Sequence, residues 1–402
     1  MKVSHNMVFP PPSYSPLTPC PIYSTSPRSN EHTLQHTPLS GHARSTETFI
    51  RTEDSITVIL NGQKENTGRL TFGRGALISG SLLLESAETV TNTGIRLQGI
   101  LESLSLSHGY SQLKIVDQSA SLYPKEGSQM RCPSASPFSL RFPLSFKNNM
   151  IHYPLPPSCD ITLPGGAFLK CTYSLVVTVN VALHRSLPFF TKEKSLALEL
   201  EYRQRTRPSR PRISEPSLFS TIKTCPEEWL QLSVDLTVGP DSLASDIYCD
   251  LFVPSIGVFG VTETVPFHLQ LSGSIRSLRE LLLRSRAVPD QSIRVYLLRQ
   301  IVAAEAKIRT VLGEGSLLPL PPDIDGLPNV SLSKYEEAVS WEGEIQLRGI
   351  TTPTFDVGTF RVMYLVAVEL SPPEACSINR AHYGYPMKLT TDTWVTSADQ
   401  YD

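Results

Sequence analysis

No apolar run in this sequence is long enough to cross a bilayer as a helix. The longest, Leu175 to Leu183, is interrupted by Thr178 and Asn180 and falls well short of the roughly 20 residues a spanning helix needs. Nor is there an excess of charge of one sign. The 36 Lys and Arg are matched by 38 Asp and Glu, so no global field draws the chain to nucleic acid or to an acidic surface. Its seven cysteines (Cys20, Cys132, Cys159, Cys171, Cys225, Cys249, Cys376) are odd in number, far apart and without a CxxC pair. They point to reduced, mostly buried thiols, not to zinc or redox work.

Catalytic signatures are missing too. The chain contains no GxSxG elbow, no GxxxxGK[ST] loop, no HExxH and no His/Cys pattern with metal spacing, and four of its nine histidines precede residue 49. Gly73-Arg74-Gly75 and Gly165-Gly166 read as β-turns, because neither opens a predicted helix that could cradle a phosphate. The expectation is a protein that is not an enzyme and uses no cofactor or metal. Met1 to Thr48 is broken throughout by Pro, Ser and His and lacks the apolar core of a signal peptide. A cytoplasmic protein follows, in which the sequon Asn329-Val330-Ser331 carries no glycan.

What is present divides the chain. Residues 1–48 hold eight prolines and fourteen Ser or Thr with almost no apolar periodicity, so this segment cannot offset its ordering entropy and is expected to be disordered. From Phe49 the pattern changes to short apolar runs punctuated every ten or so residues by Gly, Pro, Asn and Ser, the spacing of a β-sandwich. Ser55–Leu60, Leu77–Leu84, Ile95–Leu101, Phe138–Phe146 and Ser195–Tyr202 are such runs. The clearest strand is Tyr173–Leu183, with Tyr173, Leu175, Val177, Val179, Val181 and Leu183 on one face at period two. Phe360–Leu370 repeats the design, its apolar face carrying Phe360, Val362, Tyr364, Val366, Val368 and Leu370.

Two related lobes are therefore expected, at residues 49–203 and 227–390, joined by a linker at 204–226 and followed by a short tail at 391–402. Arg203 to Arg212, rich in Pro and Arg, reads as an exposed connector. One segment resists the all-β reading. Ser292–Leu312 has no Pro or Gly, and it includes the helix formers Ala303-Ala304-Glu305-Ala306-Lys307, so propensity alone makes part of it helical.

Among short motifs, Pro11-Pro12-Ser13-Tyr14 is a PPxY sequence, the ligand type for WW domains. Proline biases this stretch toward the extended helix whose ridges pack between groove aromatics, while Tyr14 fills a neighbouring pocket. The plainer reading is a chance match in a Pro-rich segment. Ser15, Thr18, Ser26 and Thr37 each precede a proline and are candidate phosphorylation sites, against the plainer reading of ordinary low complexity. The connector arginines could contact phosphates, and Arg74, Lys170 and Arg185 could form a basic surface. A solvated linker and charged strand edges explain them more simply.

Several stretches together resemble a known family. Ala76-Leu-Ile-Ser-Gly-Ser-Leu-Leu-Leu84 followed by Ile95-Arg-Leu-Gln-Gly-Ile100 resembles the opening of an arrestin amino-terminal lobe. Phe138-Ser-Leu-Arg-Phe-Pro-Leu144, Leu155-Pro-Pro-Ser158 and Tyr173-Ser-Leu-Val-Val177 resemble its later strands in order. Leu251-Phe-Val-Pro-Ser-Ile256, Val265-Pro-Phe-His-Leu-Gln-Leu271 and Phe360–Leu370 are similar to the second lobe, and fungal α-arrestins are the nearest group. The resemblance implies an all-β chain of two immunoglobulin-like sandwiches, with Ile293–Gln300 a strand of the second.

It also implies a function. Such proteins are adaptors that link a HECT-type ubiquitin ligase, held through PPxY, to a plasma-membrane transporter or receptor bound for endocytosis. Pro11, Pro12 and Tyr14 would then hold the ligase, and the protein would reach plasma membrane or endosomes through its cargo. Family motifs usually lie behind the second lobe and in pairs, whereas here one lies in front. The alternative is an arrestin-fold trafficking scaffold of the retromer-subunit type without ligase recruitment.

Overall fold

The computed structural model describes residues 48–63, 69–105, 109–124, 131–184, 187–210, 221–239, 245–283, 293–303, 306–321, 336–372 and 378–394. These form an all-β chain of antiparallel sheets arranged as two sheet bodies.

The first body opens with β1 (Thr48–Glu53), β2 (Ile56–Asn61), β3 (Leu70–Phe72) and β4 (Leu77–Leu84). It continues with β5 (Val90–Ser105), β6 (Gly109–Tyr123), β7 (Ala135–Arg141), β8 (Ser145–Asn148), β9 (Ile151–Pro154) and β10 (Cys159–Thr162). The long strands β11 (Phe168–His184) and β12 (Leu187–Tyr202) complete it. One sheet has the order β1-β2-β4-β7, the other β3-β12-β11-β5-β6, with β10 added beside β11 and β8-β9 standing apart as a hairpin. Ile56, Val58, Leu60, Ile78 and Leu82 of the first sheet and Leu97, Leu101, Leu175 and Val177 of the second are all buried in one core.

The alternation read along β11 holds. Tyr173, Leu175, Val177 and Val179 are buried, and Val181 is half-buried against the same core. Phe138–Phe146 is not one strand. Pro143 has no N–H for a ladder, and the chain leaves β7 at Arg141 and re-enters pairing at Ser145. Between them Phe142 turns inward against Phe72, Tyr173 and Tyr202, with ring centroids 5.7, 5.6 and 5.1 Å away.

The second body holds β13 (Trp229–Leu236), β14 (Ile247–Pro254), β15 (Val258–Gly260), β16 (Thr264–Ser274), β17 (Ile293–Ala303) and β18 (Ala306–Leu320). It ends with β19 (Glu336–Gln346), β20 (Phe355–Asp356), β21 (Phe360–Leu370) and β22 (Ala381–Thr390). Its sheet runs β13-β14-β16-β19-β18-β17-β21-β22-β15 and bends at β18. The first half of that strand pairs with β17 as far as Glu314, and the second half, from Gly315, pairs with β19. A strand shared in this way carries the sheet around a corner, and the corner falls at Gly313-Glu314-Gly315.

The helix expected on propensity within Ser292–Leu312 is absent, and β17 and β18 stand there instead. Val295, Tyr296, Leu297, Leu298 and Ile301 are buried, covering both faces of β17, and tertiary burial outweighs propensities worth only about 0.7 kcal/mol per residue or less. The strand that the family resemblance implied at Ile293–Gln300 is the one observed. A helix forms where none was expected: Ile275–Leu283 follows β16, its start marked by Ser274 Oγ, which accepts from Ser277 N at 3.2 Å. Leu278 and Leu281 at helical spacing bury its inner face. Among the described residues no helix is long and apolar enough to cross a membrane.

The two bodies share one building plan. The Tyr173 hydroxyl donates to Pro156 O at 2.6 Å, and the Tyr364 hydroxyl donates to Thr352 O, also at 2.6 Å. Two residues after each carbonyl, Ser158 and Thr354 clasp a last strand: Ser158 N and Oγ bond Tyr202 O and N, and Thr354 N and Oγ1 bond Leu389 O and N. The short strands then pair two residues before each tyrosine, Cys159 with Cys171 and Phe355 with Val362. A short parallel strand flanks each end, β3 beside β12 and β15 beside β22. Each tyrosine satisfies a buried carbonyl, so Tyr173→Phe and Tyr364→Phe should each cost about 1–3 kcal/mol. Urea denaturation of the two variants checks this, and a loss confined to one of them would break the equivalence.

Candidate functional site

The residues that the sequence offers for partner binding, Pro11, Pro12 and Tyr14, lie outside the described residues, as do Ser15, Thr18, Ser26, Thr37 and Arg185. The remaining candidates can be placed, and the structure does not gather them. Lys170 reaches Asp160 across the β10–β11 pair at 3.7 Å, while Arg74 is exposed on the turn before β4.

The connector differs from its expected exposure. Thr206 is buried, and its N–H donates to Thr391 Oγ1 at 2.7 Å while its carbonyl accepts from Asp392 N at 2.9 Å. The arginines around it are engaged. Arg203 pairs with Glu201 at 2.9 Å, Arg205 with Asp392 at 3.3 Å and Arg210 with Glu228 at 2.6 Å, and Arg207 lies 5.3 Å over the Trp394 ring. A guanidinium already holding a carboxylate is a poor recruit for phosphate, so the structure favours a strap over a phosphate site. The sequence hides the strap because Thr391, which holds Thr206, lies 185 residues away.

The structure brings together a junction between the bodies that sequence reasoning missed. The Tyr153 hydroxyl from β9 packs against Gly358, in the turn before β21, 2.7 Å from where a Cβ would stand. Gly358 has φ +84°, so the position needs glycine for both its backbone and its neighbour. Nearby, Arg299 of β17 is the register partner of Tyr364, and its Nε is buried without a hydrogen-bond partner. Burial pushes the Tyr364 phenol up, and the Arg299 guanidinium opposes that shift. Burial likewise pushes the Cys159 thiol up to about 12, with Arg299 again acting in the opposite sense.

Cys159 and Cys171, twelve residues apart in sequence, face each other across the ladder. Burial raises both thiols, that of Cys171 well above its ordinary value, so neither is poised as a nucleophile. The one signal that could have located the junction is the glycine before Phe360. What the arrangement shows is a packing contact between side chain and backbone, not a reacting group.

Searches of family models and of curated proteins find no match to this chain.

Proposed function

We propose that this protein is a non-enzymatic adaptor of the arrestin-like kind. It joins a WW-domain ubiquitin ligase of the HECT type, held by Pro11, Pro12 and Tyr14, to the cytoplasmic segments of a membrane transporter or receptor. The observation that supports the reading is the duplicated plan, with Tyr173 and Tyr364 closing equivalent corners of two sheet bodies in one chain. Two sheet bodies offer strand faces and loops for cargo, while the ligase motif lies ahead of both in sequence. Neither role needs a reacting group. Binding spread over strand faces and loops leaves no sequence motif of its own.

The test is a pull-down with isolated WW domains. A lone PPxY peptide binds on the order of micromolar, so removing its anchoring aromatic by Tyr14→Ala should lower retention at least about ten-fold without moving the thermal midpoint. A chain starting at Phe49 should behave as Tyr14→Ala does. Retention by either variant would remove the ligase role and leave the trafficking scaffold without ligase recruitment as the better reading.

A further inference from the structure

The β8–β9 hairpin belongs to neither large sheet. Its register, Ser145 with Pro154 through Asn148 with Ile151, leaves Asn149 and Met150 as a two-residue turn, both with positive φ, at +46° and +69°. Such turns favour Asn-Gly, because a side chain at the second position meets its own backbone. The chain nevertheless places methionine there, and Met150 is 81% exposed, the highest value among the large exposed apolar residues described. Ile151 beside it is 55% exposed, and Leu144 at the foot of the hairpin is 56% exposed. This position bears strain and exposes a large apolar group, where glycine would cost neither.

The hairpin is held firmly at its base. Phe146 is buried and lies 6.1 Å, ring to ring, from Tyr153, whose hydroxyl rests against Gly358 of the other body. Its charge is one-sided. No Asp or Glu occurs from Gly127 to Cys159, a stretch that carries Arg131, Arg141, Lys147 and His152. Lys147 and His152 are cross-strand partners one rung behind Asn148 and Ile151, and both are exposed. Arg141 donates to Gly75 O at 3.3 Å, which keeps a further cation close to Leu144, itself packed on Gly75.

We infer that the tip of this hairpin inserts Met150 and Ile151 into an anionic lipid surface, with Lys147 and His152 at the level of the headgroup phosphates. Flexible, unbranched methionine suits a fluid acyl boundary. A protein partner fits less well, because two or three side chains fall far short of the roughly 800 Å² per partner that a specific interface buries. The contact is direct and does not depend on the adaptor reading, which brings the protein to membranes only through its cargo. A single small apolar tip gives weak, reversible binding that needs negative lipid to be measurable.

The test is flotation of the full chain with vesicles of phosphatidylcholine alone or with about 30% phosphatidylserine, the latter fraction being of the order that gives a strong negative surface potential. Binding should appear with phosphatidylserine, be at least about ten-fold weaker without it, and fall as salt rises. Met150→Gly separates folding from binding, since glycine accepts φ +69° without strain. The variant should keep or raise the thermal midpoint yet bind about ten-fold more weakly. Lys147→Glu should lower binding more than about five-fold, one cation near such a surface being worth roughly that factor. Absence of flotation of the wild-type chain, or full binding by both variants, would overturn the inference.

Discussion

Replacing Val177 with aspartate should unfold the first body. Val177 is fully buried at the middle of β11 and is flanked across the ladders by Ile95 and Leu196, each 1% exposed. An aspartate there either carries an unpaired charge into an apolar core or takes up a proton to stay neutral, and it loses the packing of the valine in both cases. The cost is several kcal/mol, comparable with the roughly 5–15 kcal/mol that holds a whole domain folded. Thr178, one residue on, faces away from that core and is half-buried between Gly94 and Ser195. Thr178→Asp should therefore cost no more than about 1 kcal/mol, as surface changes do. Soluble yield and equilibrium urea denaturation of the two variants decide the matter. Equal effects would show that the faces of β11 have been assigned the wrong way round.

Gly343→Ala should be nearly as damaging, although it adds one methyl group. Gly343 lies in β19 opposite Phe267 of β16 and Leu317 of β18, beside the corner where β18 changes partners. A Cβ there would stand 2.0 Å from Ser316 O and 2.4 Å from the Phe267 ring. The ring is fully buried and the carbonyl belongs to the ladder, so neither can withdraw without loss of packing or pairing. Gly315 gives the same ring room from the other strand, where a Cβ would lie 2.5 Å from Phe267. Overpacking of this kind typically costs about 1–3 kcal/mol, and a clash with backbone places the expected loss at about 3 kcal/mol or more. Gly109→Ala is the reference: its Cβ meets nothing within 4 Å, and φ +70° alone should cost about 1–2 kcal/mol. Chemical denaturation of both variants gives the difference, and a difference below about 1 kcal/mol would mean that the corner is not built around Phe267.

These two substitutions lie on opposite sides of what can be read from residues in order. The burial of Val177 is visible from period two alone, because a strand presents alternate residues to each face and a one-residue error would expose the whole apolar set. The same logic located the inner face of β21 through Tyr364 and Val368, while β4 at Leu77–Leu84 was legible as a short apolar run between turn residues. Gly343 and Gly315 carry no such signal. Their meaning appears only once Phe267, some 76 residues from Gly343, is placed between them.

Sequence by itself determined the all-β class, the long central strand of each body and the recurrence of a tyrosine ahead of its Val-rich run, since these follow from local alternation and from side chains that must be buried. It also supplied Pro11-Pro12-Ser13-Tyr14, which is a property of four neighbouring residues. Tertiary structure decided the rest. It made a strand of Ile293–Ala303 against helix propensity, because burial of two faces outweighs a few tenths of a kcal/mol per residue, and Ala306–Leu320 pairs beside it. The strapping of Thr206 to Thr391 and the packing of Tyr153 on Gly358 were decided there too. Each depends on residues far apart in the chain, and no pattern within a window of ten can record which distant partner will satisfy a carbonyl or fill a gap.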